Sequence, residues 1–241
     1  MLASKVVVED LGPVRIRLGD ESFPASRLRR KVLALLCFLV SRPKFTATRE
    51  EVMEAMWPDM DPAGAMNSLN QSVYFLRRVF EPKYSEDTTA GYVHQESDLL
   101  WLDPELIESQ SARCAQLINL WERTRDPTVA SELSRDYAGR FALDFAYDEW
   151  TNDFREWLHV AYLRVIEAQI KQDIDDGRFD AGVAIARRAL EIDPRNEALE
   201  LSLFRLLRGS GSHSAAAEQF ERYANVLATD LGLDRPSPDS V

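Results

Sequence analysis

Apolar side chains recur at helical spacing between Ala63 and Phe80. One apolar stripe with a period of 3.6 residues is typical of a helix packed on a core, and its members here are Met66, Leu69, Val73, Leu76 and Phe80. Asp61 can accept the unpaired amide hydrogens of a helix start, and Pro62 suits the first helical position because it has no amide hydrogen. The pattern therefore predicts a helix that follows Asp61 and ends near Phe80.

The opposite face of this predicted helix is mainly polar, with Asn67, Ser68, Gln71, Tyr74, Phe75 and Arg78. Amide, phenol and guanidinium groups can read base edges in the major groove of DNA. An ordinary amphipathic surface helix is the alternative, because exposed Asn, Gln and Arg are common. Phe75 lies near the centre of this face, so an exposed aromatic ring is expected there. The neighbouring elements have to decide between the two interpretations.

Short alternating or β-branched runs precede the helices, at Lys5–Val8, Val14–Leu18 and Glu21–Phe23. Glycine, proline and aspartate separate them, which predicts a small antiparallel sheet. A helix from Arg27 to Ser41 should follow, with Ser26 as its N-cap. Its predicted core stripe consists of Leu28, Val32, Leu35 and Leu39.

Thr48 and Glu51 have the spacing of a capping box, which predicts a second helix from Arg49 to Trp57. Beyond Phe80, two extended runs flank Glu96-Ser97-Asp98 between Gly91 and Leu102, which indicates a β-hairpin. A sheet, three helices and a hairpin, in that order, form the layout of a winged helix-turn-helix. The expected fold class is therefore mostly α with a small amount of β.

The second half of the chain is predicted to be helical. Periodic segments run over Pro104–Arg125, Pro127–Tyr137 and Trp150–Asp176. A repeat of 34 residues follows, which is the period of tetratricopeptide hairpins, in which each repeat is one helical pair. The repeat relates Gly177, Gly182 and Ala186 to Gly211, Ala216 and Phe220.

The net charge of −11 is unevenly distributed. Residues 1–83 carry +3 and residues 84–241 carry −14. Within the first part, residues 22–49 contain seven Lys and Arg residues and no Asp or Glu. Such a segment can neutralise phosphates and supply the sequence-independent part of DNA affinity. A solvated helix end explains part of this composition equally well.

The remaining composition indicates a globular, cytoplasmic protein with reduced thiols at Cys37 and Cys114, since no secretory signal or membrane-length apolar run is present. The histidines show no metal-binding spacing. A calcium loop that starts at Asp173 would place Ala184 where a glutamate is needed, so Gly177 is better explained as a left-handed helix cap. We expect no cofactor, no metal site and no enzymatic activity.

Several motifs resemble those of one family. They are Leu28-Arg-Arg-Lys-Val-Leu-Ala-Leu-Leu36, Thr48-Arg-Glu-Glu51, Met56-Trp57-Pro58, Asn67-Ser-Leu69, Leu76-Arg-Arg78 and Tyr137-Ala-Gly-Arg-Phe-Ala-Leu143. The chain resembles the SARP-type bacterial transcriptional activators, which join an OmpR/PhoB-type winged helix-turn-helix to a bacterial transcriptional activator domain built of tetratricopeptide-like hairpins. The resemblance implies a DNA-binding domain over residues 1–103 and an all-α activator domain over residues 104–241. The segment Leu231–Pro238 resembles the end of that second domain.

Taken with the residues, the resemblance implies a DNA-binding transcriptional regulator, expected to be an activator. Its partners would be double-stranded promoter DNA, and RNA polymerase or a sigma factor at the Trp57–Pro62 loop and the helical domain. A homodimer on direct repeats is also implied. The residues expected to read bases are Asn67, Gln71, Tyr74 and Arg78, and those expected to hold phosphates are Arg29, Arg30, Lys31, Arg49 and Arg77. In the alternative, the same fold is a protein-interaction scaffold, with Phe75 and Trp57 as anchors for a protein partner.

Overall fold

The computed structural model describes residues 4–19 and 21–230. The segment Leu231–Pro238, which resembles a domain end, lies outside the described residues. Contacts divide the chain into two compact units. The first unit comprises Met1–Gln116 and Tyr137–His159, and the second comprises Leu117–Asp136 and Val160–Val241. The domain boundary between residues 103 and 104 stays a prediction, since these units are defined by contacts and not by independent folding.

In the described part of the chain, the strands are β1 Val6–Glu9, β2 Arg15–Leu18, β3 Glu21–Pro24, β4 Thr46–Thr48, β5 Val93–Glu96, β6 Leu99–Leu102 and β7 Ile107–Ser109. The helices of the same residues are α1 Arg30–Val40, α2 Arg49–Met56, α3 Pro62–Phe80, α4 Gln110–Thr124, α5 Pro127–Asp136, α6 Asn152–Asp175, α7 Phe179–Ile192, α8 Glu197–Gly209 and α9 His213–Asp230. The elements confirm the predicted fold class, a winged helix-turn-helix followed by helical hairpins.

The first sheet has the order β3-β2-β1-β7. Its antiparallel β1-β2-β3 part was predicted from the alternating sequence, and Val6, Val8 and Ile16 are fully buried. The parallel pairing of β7 with β1 was not predicted, and the expected helix over Pro104–Arg125 begins only at Gln110. A three-residue strand is too short for its alternation to stand out beside a helical pattern.

Helix α1 begins three residues later than predicted. Residues Ala25–Arg27 form a separate 3₁₀ turn that contains Ser26, and Leu28 and Arg29 are extended with ψ of 148° and 140°. The predicted Ser26 cap was therefore wrong, because two extended residues separate it from α1. Within α1, all residues from Val32 to Val40 are buried. This helix is central to the core of the first unit, and α2 and α3 both pack against it.

The predicted helix starts in the helix-turn-helix are confirmed. The Thr48 hydroxyl accepts a hydrogen bond from the Glu51 amide at 3.2 Å, and the Glu51 carboxylate accepts one from the Thr48 amide at 2.7 Å. The Asp61 carboxylate accepts from the Gly64 amide at 3.0 Å, and Pro62 is the first residue of α3. Of the predicted stripe, Leu69, Val73, Leu76 and Phe80 are buried, whereas Met66 is half-buried and Ala65 is buried instead.

The predicted hairpin is present as β5 and β6, which pair antiparallel around Ser97. Ser97 has a positive φ of 52°, a conformation that tight turns often require. Strand β4, which was not predicted, pairs with β6 on the other side, so this second sheet has the order β4-β6-β5. The residues just before α2 are thereby fixed to the wing of the winged helix.

Helices α7, α8 and α9 pack in sequence within the second unit, as the 34-residue repeat predicted. Gly177 and Gly211, which the repeat relates, both have positive φ, of 71° and 76°, and each lies in the turn before a helix. Gly182 allows α7 to approach α8, because a Cβ atom built there would lie 2.5 Å from Leu206 Cδ2. Tetratricopeptide-like hairpins are thus confirmed by their turns and by their packing.

Asp10 follows β1 and is a fully buried carboxylate in the first unit. Its side chain accepts hydrogen bonds from the Ser109 hydroxyl at 2.8 Å and from the Ser111 amide and hydroxyl, both at 2.7 Å. Burial raises the pKa of Asp10 from 3.8 to about 6, although these hydrogen bonds oppose the rise. The contacts connect β1 to the start of α4, because Ser109 ends β7 and Ser111 lies in the first turn of that helix.

The described residues include no helix that is both long and apolar enough to cross a membrane. Cys37 and Cys114 are buried and are not joined by a disulfide, and burial raises the pKa of the Cys37 thiol. Over the same residues no cluster of histidine, cysteine and carboxylate side chains is arranged to hold a metal ion. The Cys37 thiol is therefore a poor nucleophile, because the thiolate is the reactive form.

The buried Asp10 carboxyl should make stability depend on pH. Because its pKa is raised in the folded chain, the folded state binds more protons than the unfolded state between about pH 4 and pH 6. The contribution of this group to the free energy of unfolding is therefore greatest below about pH 4. It decreases by roughly 3 kcal/mol as the pH rises to 6. Asp10→Asn should remove this dependence. Urea denaturation from pH 4 to pH 7 measures the free energy of unfolding of the unchanged protein and of the variant. If the two free energies differ by the same amount at every pH, the prediction is contradicted.

Candidate nucleic-acid interface

The exposed face of α3 is polar and carries no acidic residue. Asn67, Gln71 and Arg78 are exposed, and Tyr74 is half-buried between the last two. Their spacing of three to four residues places them on one side of the helix, opposite the buried stripe. The structure therefore brings the four residues predicted to read bases together on one face. Neither Asp nor Glu occurs anywhere between Pro62 and Phe80.

Phe75 is half-buried, and the prediction that its ring is exposed was wrong. The guanidinium carbon of Arg29, from the segment before α1, lies 4.0 Å from the centroid of the Phe75 ring. The Tyr74 ring also contacts Phe75 edge to face, with 5.7 Å between centroids. A guanidinium over an aromatic face is attracted by the ring quadrupole and covers its apolar surface. The cost of an exposed aromatic is avoided by this contact.

Arg29 and Arg78 line one groove of about 290 Å³ between the start of α1 and the second half of α3. The other lining residues are Arg27, Leu28, Val32, Phe75 and Val79. Arg29 and Arg78 are both exposed, and no carboxylate within the described ranges pairs with either of them. Their charges are therefore available to an external anion.

Arg30 and Lys31, both predicted to hold phosphates, are engaged inside the first unit. The Arg30 guanidinium forms an ion pair with Asp148 at 2.5 Å and lies over the Phe145 ring, 4.9 Å from its centroid. The Lys31 ammonium donates a hydrogen bond to the Met56 carbonyl and lies 5.4 Å from the centroid of the Trp57 ring. Both residues are nevertheless exposed, and the Arg30 side chain is 64% exposed.

Arg77 and Arg49 connect the helices to the wing. Arg77 Nε donates to the Val93 carbonyl at 3.0 Å, and its Nη1 donates to the Tyr84 hydroxyl at 3.0 Å. The Arg49 guanidinium lies 2.9 and 3.1 Å from the Gln95 side-chain amide, whose oxygen accepts both hydrogen bonds in the favourable orientation. Arg77 is therefore directed into the fold, and Arg49 is held at the edge of the hairpin.

The loop between α2 and α3 borders a cleft of about 1070 Å³ within the first unit. Trp57 is half-buried in its wall, Met60 is 43% exposed and Tyr147 is 99% exposed. The carboxylates that line this cleft are Glu51, Glu54, Asp59, Asp148, Glu149 and Asp153. The cleft thus combines aromatic and apolar surface with a mainly acidic rim.

Comparison with known proteins places this arrangement in a family. Residues 110–239, more than half of the chain, match the family described as "Bacterial transcriptional activator domain". The chain belongs to this family. Residues 25–94 match a second family, "Transcriptional regulatory protein, C terminal", whose span includes α1 to α3 and the start of the wing. The order of the two matches is that of the SARP-type regulators, so the resemblance seen in the sequence is confirmed.

The curated relatives of this family member are regulatory proteins. The chain is 25% identical over 240 residues to the regulatory protein AfsR of Streptomyces coelicolor, and 24% identical over 229 residues to AfsR of Streptomyces griseus. Each alignment covers 95% of this chain and 23% of the relative, so the chain spans about a quarter of the length of either protein.

A solved structure with a similar fold is that of Mycobacterium tuberculosis EmbR in complex with a low-affinity phosphopeptide. The match has a TM-score of 0.67 and an identity of 20%, and it covers 97% of this chain and 62% of EmbR. At this identity the likeness shows the fold alone. This likeness agrees with the two family matches, because the similar region covers both the winged helix and the helical hairpins of this chain.

The contacts that decide which cations face outwards could not be predicted from the sequence. Arg29 and Phe75 are 46 positions apart, and Arg30 and Asp148 are 118 positions apart. No local spacing connects such pairs, because they meet only after α1 has packed in the core. The hydrogen bond from Arg77 to Val93 had a weak signal, since Arg77 directly follows Leu76 of the buried stripe.

Arg77 and its neighbour Arg78 should differ in their effect on stability. Arg77→Ala should lower the free energy of unfolding by about 1–3 kcal/mol, because the buried Val93 carbonyl loses its side-chain donor. Arg78→Ala should change it by less than about 0.5 kcal/mol, since this side chain is exposed. Urea denaturation of the two variants beside the unchanged protein measures both. Equal stabilities of the two variants would argue against an internal role for Arg77.

Proposed function

We propose that this regulator binds double-stranded promoter DNA through α3 and activates transcription by contacting RNA polymerase or a sigma factor. The observation that carries the DNA part is the face of α3, where exposed amides and a guanidinium lie on an acid-free helix in a chain of net charge −11. Acidic surface elsewhere on the chain would repel the DNA phosphates. An acid-free polar helix next to unpaired arginines is the part of this chain best suited to a polyanion.

In this proposal Asn67, Gln71 and Arg78 enter the major groove, with Tyr74 beside them. Asn and Gln side chains pair well with adenine edges and Arg with guanine edges, so these residue types can discriminate bases. Arg29 and Arg49 then serve as phosphate contacts at the border of this surface. Arg30, Lys31 and Arg77 are better explained as positioning residues, because their charged groups bond inside the first unit.

The protein-interaction scaffold is the second candidate. It relied on Phe75 as an exposed anchor, and the Arg29 guanidinium covers that ring. The Trp57 cleft still fits a protein partner, since exposed Met60 and Tyr147 stand beside a mainly acidic rim. We therefore assign this cleft to the contact with RNA polymerase or a sigma factor, by way of a segment that carries basic and apolar side chains. A homodimer on direct repeats of DNA remains part of the proposal.

The DNA proposal is tested with the full chain and a selection from randomised duplexes at low salt. Arg78→Ala should weaken binding to the selected sequence by roughly 1–3 kcal/mol and relax the preference at one base pair, because a base-reading guanidinium is lost. Arg187→Ala is the matched control, since Arg187 is an exposed arginine of the second unit. If the unchanged chain enriches no sequence and shifts no duplex at low salt, the DNA proposal fails and the scaffold gains.

The polymerase contact is tested separately by the variant Tyr147→Ala. The Tyr147 side chain is 99% exposed on the cleft and lies in a segment far from α3 in the chain, so DNA affinity should stay within about twofold while activation falls. Activation is measured as transcript yield with purified RNA polymerase and sigma factor on a template that carries the selected sequence. An unchanged yield at saturating protein would exclude the cleft as the contact surface.

A further inference from the structure

The polar surface around α3, proposed above to face DNA, includes a guanidinium group from the segment before α1. Helix α3 contains two arginines and no lysine. Arg77 bonds inside the fold, so Arg78 is the exposed cation of the helix itself. Arg29 adds a second exposed guanidinium to this surface, because it lies over the ring of Phe75 on α3.

The backbone before α1 directs Arg29 towards α3. Leu28 and Arg29 are extended, and the chain turns into the buried helix immediately after them. With its guanidinium carbon 4.0 Å from the ring centroid, Arg29 sits at contact distance on a ring that is itself half-buried and therefore held in place. Such a contact stabilises only weakly at an exposed site. Its larger effect is to restrict a long side chain before any partner binds.

The groove beside this pair has two chemically distinct parts. Leu28, Val32 and Val79 supply apolar side chains, together with the Phe75 ring, whereas Arg27, Arg29 and Arg78 supply positive charge. Among the described residues, none that lines the groove is acidic. Arg27 lies 3.4 Å from Glu21, so its charge is partly balanced. A volume of about 290 Å³ accommodates a group of roughly nucleotide size.

We propose that this groove binds one sugar-phosphate unit of the DNA backbone, with the phosphate at Arg29 and Arg78 and the sugar against Leu28, Val32 and Val79. Phe75 is then a positioning residue, which acts on DNA through Arg29. Phosphate contacts of this kind fix the register of a recognition helix on the duplex. The inference rests on the proposed DNA binding and deepens it, because it assigns a DNA role to the aromatic residue of the polar face.

The proposal predicts coupling between positions 29 and 75, measured as DNA affinity of the full chain for its selected duplex. Arg29→Ala should weaken binding about tenfold and reduce the dependence of log affinity on log salt by roughly 0.9, the value for one phosphate. Phe75→Leu should weaken binding about threefold with no change of charge. The double variant should bind no more weakly than Arg29→Ala alone, because Phe75 acts through Arg29.

A relocated guanidinium provides the sharper test. In the variant that combines Arg29→Ala with Phe75→Arg, position 75 itself carries the cation, so binding should return to within about threefold of the unchanged protein. Arg15→Ala is the control for general loss of charge, since Arg15 is an exposed arginine on β2, in the same unit but outside the groove. Thermal unfolding verifies that each variant is folded, and Phe75→Met replaces Phe75→Leu if that variant is not.

The outcomes separate the two proposals. If the unchanged protein binds no duplex, the proposed function and this inference both fail. Suppose instead that the unchanged protein binds DNA, but the fold-losses of affinity of the two single variants multiply in the double variant, or Arg29→Ala leaves the salt dependence unchanged. DNA binding then stands, and the proposal that Phe75 acts through Arg29 in this groove is overturned. Reduced binding with a smaller salt dependence and non-additive effects is the result that supports it.

Discussion

Burial of α1 is the constraint on which the first unit depends. All residues from Val32 to Val40 are removed from solvent, so α2 and α3 can only pack around this helix. Burying such a side chain contributes on the order of 1.5–3 kcal/mol. Polar groups at this helix are confined to its ends, and Arg29, Arg30 and Lys31 therefore emerge together at the start. The basic segment of the sequence is therefore partly a consequence of the core.

Aromatic rings determine where these three cations point. Each positive group lies over a different ring, and a ring fixed by packing restricts the rotamers of the cation above it. The distances from cation to ring centroid are 4.0 Å for Arg29 with Phe75, 4.9 Å for Arg30 with Phe145 and 5.4 Å for Lys31 with Trp57. Three neighbouring charges in the sequence are thus directed to α3, to Asp148 and to the loop after α2. Their surroundings therefore differ, although the sequence presents them as one basic cluster.

The second unit relies on close helix packing and on one buried ionic group. The Asp173 carboxylate is buried and accepts hydrogen bonds from Gln169 at 2.9 Å and from Arg178 at 3.0 Å, and Trp121 donates to Gln169 at 3.1 Å. A buried charge is tolerated when it is paired and hydrogen-bonded. This chain of contacts joins α4, α6 and the turn before α7 inside the unit. The acidic residues around Gly177 thereby have a structural explanation that does not require calcium.

Contacts within a few residues explain which elements could be predicted from the sequence. Thr48 with Glu51, and Asp61 with Pro62, define helix starts through contacts within a few residues, and the apolar stripe of α3 identifies its buried side. The repeat that relates Gly177 to Gly211 defines the hairpins, because left-handed turns recur where helices must reverse. Strand β7 was missed, since three residues acquire a strand identity only by pairing with β1.

The candidate site also has a part that could be predicted from the sequence and a part that could not. Composition and helical period identified the polar face of Asn67, Gln71 and Arg78, because side chains on one helix face follow from backbone geometry alone. Which cations face outwards was settled by packing, since Arg29 lies over the Phe75 ring whereas Arg77 donates to the Val93 carbonyl. Hydrogen bonds and ring contacts between residues far apart in the chain depend on packing, and packing is not encoded in any local spacing.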